Sequence, residues 1–266
     1  MLANSSQLKG AVIRATDGEI GTMDQFYFDD ETWAIRCLTV QTGKWLSERQ
    51  VLISPLSVVH SDWQTNRIDV ALTKEQVKNS PDIDTHQTVS RQHEAAFFGY
   101  YGYPYYWEGT NLWGPAFYPA DLAIAATAAK QVTAESIRKE SPDSHLRSNK
   151  AVTGYHIEAT DGQIGHLDGF VADDEAWAIR YIEVATQNWW PGKKVLVSPS
   201  WIERVSWEES KVYVGLSLEA IRSGPEYVDS MPIAREYENR LFSHFGRRPY
   251  WLDQAERKPS FFLRAV

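Results

Sequence analysis

A chain of 266 residues, 43% of them hydrophobic, is long enough to bury one or two real cores. Its net charge of −8 and pI near 5.4 argue against a nucleic-acid binder, which needs a basic stripe to displace counterions. The same balance argues against attachment to an anionic membrane surface by charge alone.

In chain order, "MLANSSQLKG" lacks a basic region followed by an apolar stretch, so no secretory signal is expected. "GAVIRA" reads as a strand, and Asp17-Gly18 after it suits a tight hairpin. "EIGTMDQFYF" continues to the acidic turn "DDE", and "WAIRCLTV", "QVLISP" and "SVVHSD" follow as further strands. "RIDVAL" alternates cleanly, with Ile68, Val70 and Leu72 on one face and Arg67 and Asp69 on the other. The sole cysteine, Cys37, cannot form an intrachain disulfide, and it reads as a small buried residue. "LTKEQVKNSPD" is a helical turn or two stopped by proline, and "VSRQHEAAFFGYYGYPYYW" is a short amphipathic helix with an aromatic tail. "PAFYPADLAIAATAA" is the best apolar run, yet two prolines and Asp121 interrupt it short of the ~20 residues of a spanning helix. A soluble cytoplasmic protein is the resulting expectation.

From residue 154 the same text begins again. Asp17 and Asp161, Trp33 and Trp177, Pro55 and Pro199, Pro81 and Pro225, and Trp107 and Trp251 all stand 144 positions apart. A constant offset means no net insertion between the copies, and two long copies read as two similar domains rather than a solenoid. The boundaries are 8–107 for the first, 108–150 for a polar linker opening on a short helix, 151–251 for the second and 252–266 for a C-terminal tail. Six short strands per copy without intervening helices predict a mainly β fold. Two small closed or partly closed β-barrels, each followed by short helices, would stand in pseudo-symmetric tandem.

The order "ATDGxIG…D", "WAIRxxxV", "VLxSPxxV", "VxVxL", present in both copies, resembles the PRC-barrel domain. That domain forms the cytoplasmic part of the photosynthetic reaction-centre H subunit and the C-terminal barrel of a ribosome-maturation factor. The tails "YYGYPYYW" and "HFGRRPYW" are most similar to stand-alone, often tandem, bacterial members. The resemblance covers about 10–107 and 154–251. It implies a β-barrel protein-binding module with no known catalytic residues and an unidentified protein partner. By the same analogy it implies peripheral association with a membrane complex at the inner membrane. The chain lacks the membrane-spanning helix of the H subunit and the RNA-related domain of the ribosome factor. The copies would pair within one chain, as a monomer, or between chains as a homodimer.

Candidate chemistry is sparse. The consecutive acids Asp29-Asp30-Glu31 and Asp173-Asp174-Glu175 diverge, unlike the alternating carboxylates and glycine of a calcium loop, and a hairpin turn is the better account. Asp24 with Arg36, and Asp168 with Arg180, would neighbour each other across that hairpin, either as partly buried ion pairs or as independent surface charges. The seven histidines show no ligand spacing, and no phosphate loop, dinucleotide fingerprint or nucleophile elbow occurs, so no catalytic residue, cofactor or metal is expected. Tyr100, Tyr101, Tyr103, Tyr105, Tyr106 and Trp107, with Tyr250 and Trp251, have two readings. They form a sticky partner surface, or they fold back and seal the barrels.

Overall fold

A computed structural model describes residues 1–81, 91–128, 145–186, 193–229 and 232–252. The polar half of the predicted linker and nearly all of the predicted C-terminal tail lie outside these residues. The fold is mainly β. In the first copy the strands are β2 (Val12–Ala15), β3 (Gly18–Asp29), β4 (Ile35–Thr42), β5 (Gln50–Ile53), β6 (Val58–Asp62) and β7 (Arg67–Val70). The second copy repeats them as β9 (His156–Ala159), β10 (Gly162–Asp173), β11 (Ala178–Thr186), β12 (Lys194–Val197), β13 (Ile202–Ser206) and β14 (Lys211–Val214). Each copy adds a one-turn helix after its last strand, α2 (Lys74–Lys78) or α6 (Leu218–Arg222), and then a longer one, α3 (Arg91–Tyr101) or α7 (Arg235–His244). Within the predicted linker lies a helix, α4 (Pro119–Ala128).

Strand order is β5-β4-β3-β2-β7-β6 in one sheet and β12-β11-β10-β9-β14-β13 in the other. Among the described strands only β2–β7 and β9–β14 run parallel. The expected barrels are not closed by hydrogen bonds: each path ends on two edge strands that do not pair with each other. The first hairpin also turns one residue earlier than the Asp-Gly pair suggests. Ala15 faces Gly18 across a loop of Thr16 and Asp17, which frees the Asp17 carboxylate to accept from the Lys74 N–H at 2.8 Å. Asp161 repeats this with the Leu218 N–H at 2.7 Å. The repeated aspartate therefore ties a hairpin to the start of a helix, where the unsatisfied N–H groups lie.

Gly21 and Gly165 are required by the close approach of β4 and β11. A Cβ on Gly21 would sit 2.1 Å from the Gln41 carbonyl oxygen, and one on Gly165 would sit 1.9 Å from that of Ala185. No side chain fits there.

Each sheet has a seventh strand, and it comes from the other side. β1 (Leu2–Asn4) pairs with β10 of the second copy, while β8 (Leu146–Ser148) pairs with β3 of the first. The registers match at the 144-residue offset: Leu2 faces Asp173 and Leu146 faces Asp29. A short helix follows each arm, α1 (Ser5–Leu8) after β1 and α5 (Asn149–Val152) after β8. Asn4 and Ser148 cap these helices by accepting from the Gln7 and Ala151 N–H groups. The repeated secondary structure thus extends back to residue 2 and residue 146, and 146–150, within the stretch read as linker, is strand and helix. The signal was weak because "LANSSQL" and "LRSNKAV" share a pattern of one leucine and a polar cap rather than letters.

A pseudo-two-fold axis passes between Ala34 and Ala178, which bridge each other. Around it, the Ile35 N–H donates to the Trp177 carbonyl at 2.7 Å and the Ile179 N–H to the Trp33 carbonyl at 2.8 Å. Trp33 and Trp177 hold these carbonyls in place with positive φ, 59° and 48°, a strained state for a bulky residue. Phe26 and Phe170 meet edge to face with centroids 5.8 Å apart. Such an isologous contact between copies is the geometry of a symmetric dimer made within one chain, and the apolar core runs continuously through it.

Candidate functional site

The charged residues singled out in the sequence do not pair as expected. Arg36 binds Asp29 at 3.1 Å rather than Asp24, and Arg180 binds Asp173 at 2.7 Å rather than Asp168. The reason is register. In the β3–β4 hairpin Asp24 stands at a bulge between Met23 and Gln25, facing Val40 and Thr39, whereas Arg36 stands at a second bulge facing Tyr27 and Phe28, closer to the turn, so the two do not oppose each other. The same bulges recur in β10–β11. Asp29 does two jobs: Oδ1 accepts from the Glu31 and Thr32 N–H groups at 3.0 Å each, closing the predicted turn, while Oδ2 holds Arg36. Asp168 instead meets Lys194 at 2.7 Å.

The aromatic tails fold back onto the arginines. Tyr106 is buried, and its ring lies under the Arg36 guanidinium at 3.7 Å, while Tyr250 lies under Arg180 at 4.3 Å. Their hydroxyls donate to Glu94 and Glu238, two buried carboxylates that sequence reading missed. The available signal was a glutamate kept at the 144 offset inside an otherwise variable helix. Glu238 also accepts from Tyr181 at 2.6 Å and pairs with Arg235 at 2.9 Å. In the first copy Cys37 stands where Tyr181 stands, and burial, with Glu94 close by, pushes its thiol well above the ordinary range. Tyr101, Tyr103, Tyr105, Trp107 and Trp251 are half-buried against the core. Of the eight aromatics read as a partner surface, Tyr100 alone is exposed, at 41%, and its hydroxyl donates to the Gln76 carbonyl. The sealing arrangement is the one present in the structure: apolar ring area is removed from water, and the hydroxyls of Tyr100, Tyr106 and Tyr250 still find partners.

Over Arg36 the segment Asn111–Ala116 folds as a cover: Leu112 O accepts from Arg36 Nη1 at 2.7 Å, and the Trp113 ring lies 4.8 Å from the guanidinium. Trp113 is fully buried, and its indole N–H reaches across to the Ala176 carbonyl at 2.8 Å. Gly114 makes the fold possible, having φ of 67° and standing where a Cβ would meet Tyr106 O at 2.7 Å. Among the described residues nothing comparable covers Arg180, which instead lines a groove of about 470 Å³ with Tyr250, Thr32 and Trp33.

A second groove, about 520 Å³, lies between the N-terminal arm, the β6–β7 turn and Tyr227, Pro232 and Ile233, with Trp63 and His60 also in its walls. Trp63 Nε1 donates to Asp174 at 2.6 Å, and the Met1 amine pairs with the same carboxylate. Beside it, Lys194 is shared by Asp168, Asp229 and Glu183, the last at 3.5 Å. Burial dominates at Glu183 and raises its pKa to about 7, because Asp168 and Asp229 compete for the single cation. A carboxyl raised on folding stabilises the fold below the unfolded value of 4.5, and the benefit fades as pH climbs through about 7. Glu183→Gln is therefore expected to flatten the pH dependence of stability between pH 4.5 and 7. At pH 8 the variant should exceed the parent by about 3 kcal/mol. Urea unfolding at pH 5 and pH 8 checks this, and parallel curves for both proteins would contradict it.

Among the described residues no group of three His, Cys, Asp or Glu side chains is arranged to hold a metal, and no helix is long and apolar enough to cross a membrane. Compared with models of protein families and with curated proteins, the chain finds no match in either.

Proposed function

We propose that this chain is a non-catalytic tandem protein of the PRC-barrel type that binds other proteins, with its two curved sheets acting as one rigid scaffold. The observation that carries the reading is the use made of the duplicated polar residues. Asp29–Arg36 and Asp173–Arg180 lock hairpins, Asp17 and Asp161 tie helices to turns, and Glu94 and Glu238 anchor the aromatic tails. Residues that a duplicated enzyme would keep for chemistry are here engaged in holding the fold, and the features left over are grooves between the copies. Association with a membrane or electron-transport complex is part of the proposal by family analogy alone.

Affinity capture from native lysate and from detergent-solubilised membranes, read by mass spectrometry, tests this. The same partner recovered in repeat captures supports the reading, and a membrane-fraction partner supports its membrane clause. Recovery of nothing specific from either fraction counts against it. Small-ligand binding is the second reading, favoured by the two grooves of about 520 and 470 Å³, a size in the range of small-molecule pockets. A thermal shift with a metabolite panel separates it from the first.

A further inference from the structure

The groove beside Arg180 repeats the seat that the first copy fills with its own Trp113. Each wall of that seat has a counterpart 144 positions away. Arg36 and Tyr106, which hold Leu112 O and the indole face, correspond to Arg180 and Tyr250. Ala176, whose carbonyl accepts the indole N–H, corresponds to Thr32, which lines the groove. Arg180 uses Nε and Nη2 on Asp173 at 3.1 and 2.7 Å. Its Nη1, the atom that in Arg36 donates to Leu112 O, has no acceptor among the described residues.

We propose that this groove is a peptide-docking site for an extended, apolar-aromatic segment of a partner protein. The partner would place a backbone carbonyl on Arg180 Nη1 and, one residue later, a tryptophan ring over the guanidinium, its indole N–H donating to Thr32 O. The chemistry is that of the Leu112-Trp113 cover, offered by another chain. A planar guanidinium already oriented by a carboxylate and backed by a tyrosine ring loses little freedom on binding such a ligand. The proposal rests on the reading of the chain as a protein-binding scaffold and names the kind of segment it recognises.

The probe is a fluorescently labelled peptide with the sequence of residues 109–117, GTNLWGPAF, titrated into the full chain and followed by anisotropy. Saturable binding is expected. It should weaken tenfold or more for a peptide with alanine in place of its tryptophan, and by as much for Arg180→Gln. Because Arg180→Gln also loosens the Asp173 pair, Ser200→Trp serves as the second variant. Ser200 is exposed on the groove wall, so a large ring there blocks the seat without touching the core. No saturable binding, or binding that neither variant weakens, would overturn the proposal. Partner capture can still succeed through another surface, so failure here and failure of the scaffold reading are separate results.

Discussion

Arg36→Met is expected to destabilise the protein by about 3–5 kcal/mol, because it leaves a buried carboxylate without its cation. Arg36 is 1% exposed and Asp29 6%, and the guanidinium also serves Leu112 O and Thr32 Oγ1. The same change at Arg180 should cost less, about 1–3 kcal/mol, since that side chain borders a groove and its Nη1 has no acceptor among the described residues. Urea unfolding of the two variants at pH 7 gives the comparison, and equal losses would contradict the assignment. The pH dependence offers a second check. Burial alone would raise the Asp29 carboxyl, but the Arg36 guanidinium and the Thr32 and Glu31 N–H groups outweigh it and hold the pKa below 3.8. A depressed carboxyl contributes stability above its unfolded value and loses it as pH falls through the folded one. In Arg36→Met burial prevails, so the deficit relative to the parent should be largest near neutrality and shrink toward pH 3. Adding Asp29→Asn should recover part of the loss at pH 7.

Trp113→Ala is expected to cost about 3–5 kcal/mol as well, from the cavity and the lost ring contacts. Trp113→Phe keeps most of the volume but leaves the Ala176 carbonyl without the indole donor, and should cost about 1–2 kcal/mol. Since Ala176 belongs to the second copy, the loss should appear in a single cooperative transition of both copies. Differential scanning calorimetry would reveal two separate transitions if the cover stabilised only its own half. Combining Trp113→Ala with Arg36→Met should cost less than the two alone together, because each removes the other's partner.

Much of this could be read from the chain. The period-2 alternation of Ile68, Val70 and Leu72 marked β7, and the constant offset marked the duplication, because both are properties of letters at fixed spacing. The ion pairs could not be placed, since pairing depends on the residue at which the hairpin closes and on the ladder register, neither of which leaves a compositional trace. The arms β1 and β8 were illegible for a related reason: three residues whose partners lie across the axis carry no local periodicity. The aromatic tails were visible, and the choice between docking and display was not. That choice turned on Glu94 and Glu238, charged letters on a helix whose burial only the tyrosine hydroxyls explain.

The reciprocal arms also bear on how the chain is made. Leu2 finds its partner only at Asp173. At roughly 5–20 residues per second, the ribosome needs on the order of ten to thirty seconds to deliver it. The first copy meanwhile waits for β8 with the β3 edge near Phe28 uncovered. The first sheet gains its seventh strand only once Leu146–Ser148 has emerged, and the Ile35–Trp177 and Ile179–Trp33 bonds across the axis wait for the second copy, so the first half is completed only when the second is made. A nascent chain stalled before residue 146 would present an unpaired edge to its neighbours on the same message, the condition under which chains cross-pair.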